Sequence, residues 1–458
     1  MNMATRTISV REIFDGSKFT PYQAWICVLC FLAVLLDGFD LTIIGVALPK
    51  IKDSLNASSG ALGMAVGAGL VGPLVGAIFL GMSADRWGRK RLLCLSALIF
   101  GVFTWLTAYI TSVEQLALFR FLAGIGLGGA IPNALAFGCE YAPSRLRASL
   151  STAMWAGMPG GSVIGSLAAA YLLPVYGWQS LFFVGGGLPI IIALVTALLL
   201  PESLEFLVQR GADVTRIRKI VSRISPALAK DRAVQFYSTE QKLSGIPVKH
   251  LFTRGFAMTT LLLWALFFVA FYFLWILLAW APTFLRETGA SPQQYSIGYA
   301  CIHLGAFVAC IVIGRLMDTF NPFRTLTVAY VLAFFSMVAF GLFSGGSFLV
   351  VAIVCVVAGF FINGANGGLV GLCTVSYPVD IRGTGVGWAY AIGKIGSLFG
   401  PVLGGYLIDM KWSVSKICLW NSFVGLLIAA GIIILQRHLA AAKRNEVPAG
   451  AESKPQAA

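Results

Sequence analysis

The sequence predicts an all-α polytopic membrane protein with twelve transmembrane helices in two six-helix halves. Three observations predict it. Hydrophobic residues fill 58% of the 458 positions and charged residues 11%, against about 45–50% and about 25% in soluble chains. The apolar residues gather in runs of about 20, the length that crosses a hydrocarbon core. Most Lys and Arg residues fall in the gaps between runs, and rich and poor gaps alternate, as orientation by positive charge requires. A soluble fold would have no charged surface to enclose so much apolar chain. The same figures exclude disorder, coiled coil and collagen. A net charge of +14 does not indicate nucleic acid, because the charge is not spread over one face. A barrel is excluded because its strands would be about ten residues of alternating pattern.

The elements follow in order. Residues 1–22 are polar and charged and predict a cytoplasmic N-terminal segment with no cleavable signal peptide. Apolar runs near 23–47, 60–80, 92–110, 116–140, 150–173 and 180–200 predict a first bundle over 23–200. The basic stretch 201–255, partly helical in pattern, predicts a cytoplasmic linker loop placed to meet anionic lipid. Runs near 256–281, 293–314, 325–343, 347–370, 383–407 and 416–436 predict a second bundle over 256–436. The tail 437–458 is expected on the cytoplasmic side and disordered. With the N-terminus inside, 26 Lys and Arg lie on the cytoplasmic side and five on the other, and without the linker the split is still 16 to 5. The nine cysteines lie mostly inside the apolar runs, Cys27 and Cys30 among them, so they read as small apolar fillers. No metal or cofactor is expected.

The halves carry an internal repeat. Glu140-Tyr-Ala-Pro143-Ser-Arg-Leu-Arg147 follows span 4, and Ser376-Tyr-Pro378-Val-Asp-Ile-Arg382 follows span 10, at an offset of 235 residues. The offset maps Gly161 and Gly165 onto Gly396 and Gly400. Two repeats joined by a charged linker describe a rocking transporter with its site between the halves at mid-membrane.

Gly81-Met-Ser-Ala-Asp85-Arg86-Trp-Gly88-Arg89-Lys90-Arg91 resembles the signature loop of the major facilitator superfamily between spans 2 and 3. Arg120-Phe-Leu-Ala-Gly124-Ile-Gly126 resembles its span-4 motif, and Pro201-Glu202-Ser203 after span 6 is also familiar there. A narrower likeness, to the aromatic acid:proton symporters, rests on Leu36-Asp37-Gly38-Phe39-Asp40, Gly128-Gly-Ala-Ile-Pro132-Asn133, Asn363-Gly-Ala-Asn366 and Arg382-Gly-Thr-Gly-Val-Gly-Trp388. The resemblance covers nearly the whole chain. It implies the major facilitator fold and a carrier of benzoates, hydroxybenzoates or hydroxyphenylpropionates in a bacterial inner membrane, with protons as coupling ion and a monomer sufficient. The chain departs from the pattern at His303, Asn366 and Lys394, where Gln, Gln and Arg are expected.

The charged residues inside the spans carry the chemistry. Asp37 and Asp40 are three apart, about 60° and ~4.5 Å on a helix, so they share a side. Each carboxylate costs about 2.5–3.5 kcal/mol at a helix centre on insertion scales. Such groups persist where they reach water, a partner or a proton. A carboxyl in apolar surroundings beside a like charge can exchange a proton near neutral pH, and Asp37, the deeper of the two, is the preferred proton carrier. The static alternatives are a local backbone cap at Gly38 or a pair with Arg120. That arginine stays charged, and it can pair with Asp37 or grip a substrate carboxylate in a fork; the resemblance implies the ion pair. Lys394 lies deep in span 11 with no acidic residue evident in spans 7–12, which leaves a substrate carboxylate as its candidate counter-ion.

Asn133, His303, Asn363 and Asn366 are the polar candidates to line the pocket. His303 is also the residue type that titrates near physiological pH, or it makes an interhelical hydrogen bond. Trp388 and Tyr390 precede Lys394 on one helix and are the aromatic candidates to meet a substrate ring. Gly81, Asp85, Arg86, Gly88 and Arg89 read as a gate at the cytoplasmic surface. Asp85 is placed to meet a helix N-terminus across the interface, and Arg89 to pair with Glu140. The glycines 124–129 have no strand before them, so they are no nucleotide loop, and no catalytic constellation is present. The functional expectation is import of an aromatic carboxylate with protons. The alternatives are proton-driven export of drugs or metabolites, and uptake of another organic acid or a sugar. A sensor on the same scaffold and a membrane enzyme are the remaining classes.

Overall fold

A computed structural model describes all residues except 1–5, 82, 84–86, 232–233, 238–247, 253–255, 378 and 447–458. Among the described residues, twelve helices are long and apolar enough to cross a membrane. Spans 1 to 6 are Pro21–Leu55, Ser59–Leu80, Arg89–Tyr109, Val113–Tyr141, Ala153–Tyr176 and Gln179–Leu199. Spans 7 to 12 are Ala257–Glu287, Pro292–Thr319, Pro322–Phe343, Phe348–Ser376, Thr384–Asp409 and Val414–Ala441.

Most helices outrun the apolar runs, because polar caps and good helix formers continue them. Span 1 opens with Pro21 behind a reciprocal cap, in which Thr20 N–H donates to Gln23 Oε1 at 2.8 Å and Gln23 N–H donates to Thr20 Oγ1 at 3.3 Å. It closes at Asn56 in the left-handed region, φ 49°. The helix of span 12 continues to Glu446, past the expected end at 436, through Ala, Gln, Lys and Arg, all favourable in helices.

The two halves repeat one packing plan. In the first, span 1 packs on 5, 2 on 4 and 3 on 6; in the second, span 7 packs on 11, 8 on 10 and 9 on 12. The mapped glycines sit at equivalent crossings. Gly161 lies against the Leu35 carbonyl of span 1, and Gly396 against the Phe268 carbonyl of span 7. A Cβ at either position would collide with backbone, so the small residue sets how close the helices come.

Spans 2 and 11, and spans 5 and 8, meet across the halves. One end of the bundle carries the linker, and the other is the far end. Among the described residues, every hydrogen bond and ion pair that crosses between the halves lies toward the far end. Ser59 N–H and Gly60 N–H donate to Asp409, and Arg286 donates to the Pro49 carbonyl and to Asp53. Tyr406 touches Met64.

A small folded layer covers the linker end of the first half. Strand β1 (Arg6–Ser9) pairs in parallel with β2 (Val234–Tyr237) of the linker. The helix Val10–Asp15 that follows β1 buries Val10, Ile13 and Phe14 in one cluster with Leu204, Leu207, Ile217, Ile220 and Val221. Asp15 fastens it by accepting from Ser144 N–H at 2.6 Å and from the Ser144 hydroxyl at 2.8 Å. Sequence reading gave only a polar segment here, because four residues are too few to show a strand period.

Candidate functional site

The geometry of span 1 is set by its crossing with span 5. Gly38 lies directly under the Met158 carbonyl, and the Gly38 carbonyl accepts from Ser162 Oγ at 2.9 Å. This fixes the rotation of span 1 and therefore the directions of Asp37 and Asp40, which are 4% exposed each.

Asp40 is held in a closed network. Arg120 Nη1 donates to its two oxygens at 2.9 and 3.1 Å, and Thr104 Oγ1 donates to Oδ1 at 3.1 Å. Arg120 Nη2 donates to Thr104 Oγ1 at 2.8 Å and to Thr107 Oγ1 at 3.2 Å. The guanidinium carbon stands 5.4 Å from the centre of the Phe182 ring. Every member belongs to the first half. The expected partner of Arg120 was Asp37, and the structure corrects this. Arg120 leaves span 4 near the far end, and Asp40 is the carboxylate about one turn nearer that end. The two threonines, three residues apart on span 3, were missed.

Asp37 is buried without a hydrogen bond or an ion pair among the described residues. Its charged neighbours are Lys394 and Asp40. Lys394 thus lies within electrostatic reach of a carboxylate of the opposite half, which a search of spans 7–12 alone does not find. Its Nζ is 5.5 Å from the Tyr390 ring centre and 6.0 Å from that of Trp275. Tyr390 meets Phe271 edge-on at 5.3 Å. Gly393 beside the Phe271 ring, and Gly396 and Gly400 against the span 7 backbone, let span 11 lie this close. The product is an ammonium in an aromatic cradle, opposite a carboxylate. It can hold an anion whose body is a flat ring.

Trp388 does not belong to this cradle, contrary to the expectation. Its ring is 44% exposed and stacks on Trp264 at 6.0 Å. Two residues of helix separate it from Tyr390, about 200° of rotation, so it points away.

The polar candidates divide. Asn133 is satisfied within span 4 by donating to the Gly129 carbonyl at 2.7 Å. Asn366 Nδ2 donates to the Ala270 carbonyl of span 7 at 3.0 Å, which fixes the amide and leaves Oδ1 buried without a donor. His303 meets Tyr299 edge-on at 4.8 Å, and its Nε2 is buried without a partner. Asn363 closes a π-helical turn, Gly359–Asn363, a feature frequent at functional sites. The first residue of that turn, Gly359, lies under the carbonyl of Ile302, next to His303.

The expected gate residues form a cluster at the linker end. Arg89 pairs with Glu140 at 2.7 Å, and Ser203 Oγ donates to Glu140 Oε2 at 2.5 Å. Glu202 accepts from Lys90 N–H at 3.0 Å and from Ser203 N–H at 3.1 Å. Gly88 has φ +94°, and a Cβ there would stand 2.5 Å from Glu202 Oε2. This cluster lies inside the first half and its linker. Arg89–Glu140 therefore ties spans 3 and 4 of one half and does not bridge the two halves, contrary to its expected place in a gate between them. Gly81 ends the π-turn Ala77–Gly81, and Asp85 and Arg86 lie outside the described residues. Glu202 is the member whose importance sequence reading missed, although its Pro-Glu-Ser motif was visible.

Comparison with known proteins places these features. The Major Facilitator Superfamily model matches residues 30–401. The 4-hydroxybenzoate transporter PcaK of Acinetobacter baylyi is 35% identical over 90% of this chain and 90% of its own. The gallate transporter of Pseudomonas putida is 34% identical over 88% of this chain and 89% of its own. The 3-(3-hydroxy-phenyl)propionate transporter of Escherichia coli is 32% identical over 83% and 86%. Among solved structures, the inward open conformation of the xylose transporter XylE from E. coli matches with a TM-score of 0.70 at 17% identity. It covers 92% of this chain and 99% of that one. That likeness speaks for the fold alone.

Proposed function

Since the chain belongs to the major facilitator superfamily, and within it to the aromatic acid transporters, we propose that it imports an aromatic carboxylate together with a proton. The reading rests on one observation: Asp37 of the first half is buried within electrostatic reach of Lys394 of the second, and neither has an ion pair among the described residues. A substrate carboxylate and the Asp37 carboxylate compete for one ammonium. When Asp37 is protonated, Lys394 is free to hold the substrate, and Tyr390, Trp275 and Phe271 receive the ring. When Asp37 ionises, it takes Lys394 back and the substrate leaves.

Charge accounting gives the coupling. The empty site holds one cation and one anion. The loaded site with Asp37 protonated holds the same. Substrate without the proton adds a net negative charge to a low-dielectric site, which opposes rocking. One proton therefore travels with one monoanion. The linker end, rich in Lys and Arg, faces the cytoplasm of a bacterial inner membrane on this reading. The contacts joining the far ends then belong to an inward-facing state. His303 Nε2 and Asn366 Oδ1, both without partners, favour acids with a ring hydroxyl, which donates and accepts. Relatives named for 4-hydroxybenzoate and gallate agree with this choice.

The test is uptake of labelled 4-hydroxybenzoate, benzoate, gallate and a sugar into proteoliposomes with an alkaline lumen. Wild type should accumulate a hydroxylated acid, up to about tenfold per pH unit of gradient. Asp37→Asn should exchange substrate but not accumulate it. Accumulation by Asp37→Asn equal to wild type would remove the proton from this residue. Gradient-driven efflux without uptake would put export in its place.

A further inference from the structure

The far end of the bundle holds a set of contacts that the mid-membrane site does not use. Span 2 starts there, at Ser59, and the first amides of a helix have no intrahelical acceptor. Ser58 Oγ accepts from one of them, Ala61 N–H, at 3.1 Å. The two that precede it are taken by a residue of the other half. Ser59 N–H donates to Asp409 Oδ1 at 2.8 Å, and Gly60 N–H donates to Oδ2 at 2.6 Å. Asp409 is the last residue of span 11, so its carboxylate also meets the positive end of the span 2 dipole. The fit needs small residues. A Cβ at Gly60 would stand 2.9 Å from Asp409 Oδ2, and Gly405 lies directly against the Ser59 carbonyl. Lys52 adds a positive charge beside the contact, with its Nζ donating to Ser59 Oγ at 2.7 Å.

A second link stands on spans 1 and 7. Arg286 pairs with Asp53 at 2.8 Å and donates to the Pro49 carbonyl at 2.5 Å. Both links join opposite halves, and both reach solvent: Asp409 is exposed, and the Arg286 and Asp53 side chains are 37% and 49% exposed. Neither is buried so deeply that breaking it would strand an unpaired charge in the membrane. In each, water can take over both partners when the halves part.

We propose that Asp409, capping the first turn of span 2, is the principal latch of the far-end gate, with Arg286–Asp53 as its second point. The proposal rests on the alternating-access reading, in which the far end must open to admit substrate. Asp409 then touches no substrate. It sets the balance between the two open states and so the rate of return. Losing it favours the state open at the far end. It leaves Asp37, Lys394 and the aromatic cradle unchanged.

The experiment measures the balance directly, without substrate. Glu114→Cys and Ser347→Cys place spin labels at exposed far-end positions of opposite halves. A membrane-impermeant reagent is used, with the protein lacking both additions as background. The distance distribution is read by double electron–electron resonance in otherwise wild-type, Asp409→Ala, Asp409→Glu and Arg286→Gln proteins. Asp409→Ala should raise the long-distance population roughly threefold or more, Arg286→Gln should raise it less, and Asp409→Glu should return it towards wild type. In transport, Asp409→Ala should weaken apparent affinity from the linker side and strengthen it from the far side, a pair of opposite shifts that structural damage does not produce. A wild-type distribution in both Asp409→Ala and Arg286→Gln overturns the proposal. Arg286→Gln alone decides if Asp409→Ala does not fold. Because no substrate is present, failure here leaves the symport reading standing, and failure of symport leaves the latch standing.

Discussion

The Asp40–Arg120 pair makes the sharpest quantitative prediction. Both residues are about 95% buried, at 4% and 5% exposure, and the guanidinium touches both carboxylate oxygens. Arg120→Met leaves Asp40 charged in an apolar site with only the Thr104 hydroxyl. Removing one partner of a buried pair costs about 3–5 kcal/mol. Asp40→Asn leaves the guanidinium with Thr104, Thr107 and the Phe182 face, so its cost belongs at the lower end of that range. The double variant has no stranded charge. It loses neutral hydrogen bonds worth about 1 kcal/mol each. The double should therefore be less destabilised than the two singles together by at least about 2 kcal/mol. Equilibrium unfolding in mixed micelles, titrated with a denaturing detergent, measures the cycle. Effects that add to within about 0.5 kcal/mol would refute the pairing as an energetic unit. Transport by the double variant tests the role as well. With Asp37 and Lys394 untouched, it should keep proton-dependent uptake with a KM close to wild type. A large rise in KM in a folded double variant would mean that Arg120 grips the substrate.

The remaining predictions concern the cradle, the coupling and the N-terminal fastening. Tyr390→Ala should raise KM about five- to thirtyfold, the equivalent of about 1–2 kcal/mol of ring and cation contact, while Trp388→Ala should leave KM unchanged; equal effects would refute the assigned helix faces. One-to-one symport of a monoanion moves no net charge, so uptake should follow the pH gradient and ignore a potassium diffusion potential, and a potential-driven component would refute that stoichiometry. Apparent affinity in wild type should fall about tenfold per pH unit once Asp37 is ionised, because raising pH removes the bound proton, and in Asp37→Asn it should be flat. Asp15 has its carboxyl held below the ordinary 3.8, first by the Ser144 backbone N–H and further by the Ser144 hydroxyl and the charges of Arg11 and Arg145. A lowered pKa stabilises the fastened segment above 3.8 and loses that contribution as pH falls through the lower folded value. Hydrogen exchange over residues 6–17 should therefore stay protected down to about pH 4 and loosen below it, whereas loosening near pH 6 would show another group in control.

Much of this architecture was legible because the bilayer imposes it. Run length and Lys/Arg placement do not depend on detailed packing, so the twelve spans follow from them. The glycines at 161, 165, 396 and 400 were legible as close contacts because a repeated offset marks positions used twice. The carboxylate pair of span 1 and Lys394 were legible because charge in a span is costly enough to require a reason. What stayed hidden depends on fractions of a helical turn or on the other half of the chain. The choice of Asp40 over Asp37 by Arg120 turns on about 4.5 Å of rise. The direction of Trp388 follows from its two-residue separation from Tyr390. The β1–β2 pair joins four-residue segments more than 200 positions apart, with no period long enough to announce it. Asp409 lies just past the apolar run 383–407, and nothing local says that its carboxylate meets the start of span 2.

The placement of these charges separates two kinds of work. Asp40–Arg120 and Arg89–Glu140 each lie within the first half. A rocking motion carries them as parts of a rigid body, so they need not break during transport, and burial costs them nothing in speed. Asp409 with the start of span 2 and Arg286–Asp53 each join opposite halves, and Asp37 and Lys394 are charged neighbours across them without an ion pair. A rigid-body motion must change all three. Two of these are solvated at the far end, where water can replace either partner as the halves part. In the third the Asp37 carboxylate is buried, and on the proposed mechanism a proton or the exchange of a substrate carboxylate at Lys394 balances its charge as the halves part. Inverting the arrangement tests this logic: a buried, well-packed ion pair built across the halves at mid-membrane should slow net transport far more than the same pair built within one half. The comparison is of turnover at equal folded protein, and equal turnover in the two designs would show that the halves do not move as rigid bodies about this site.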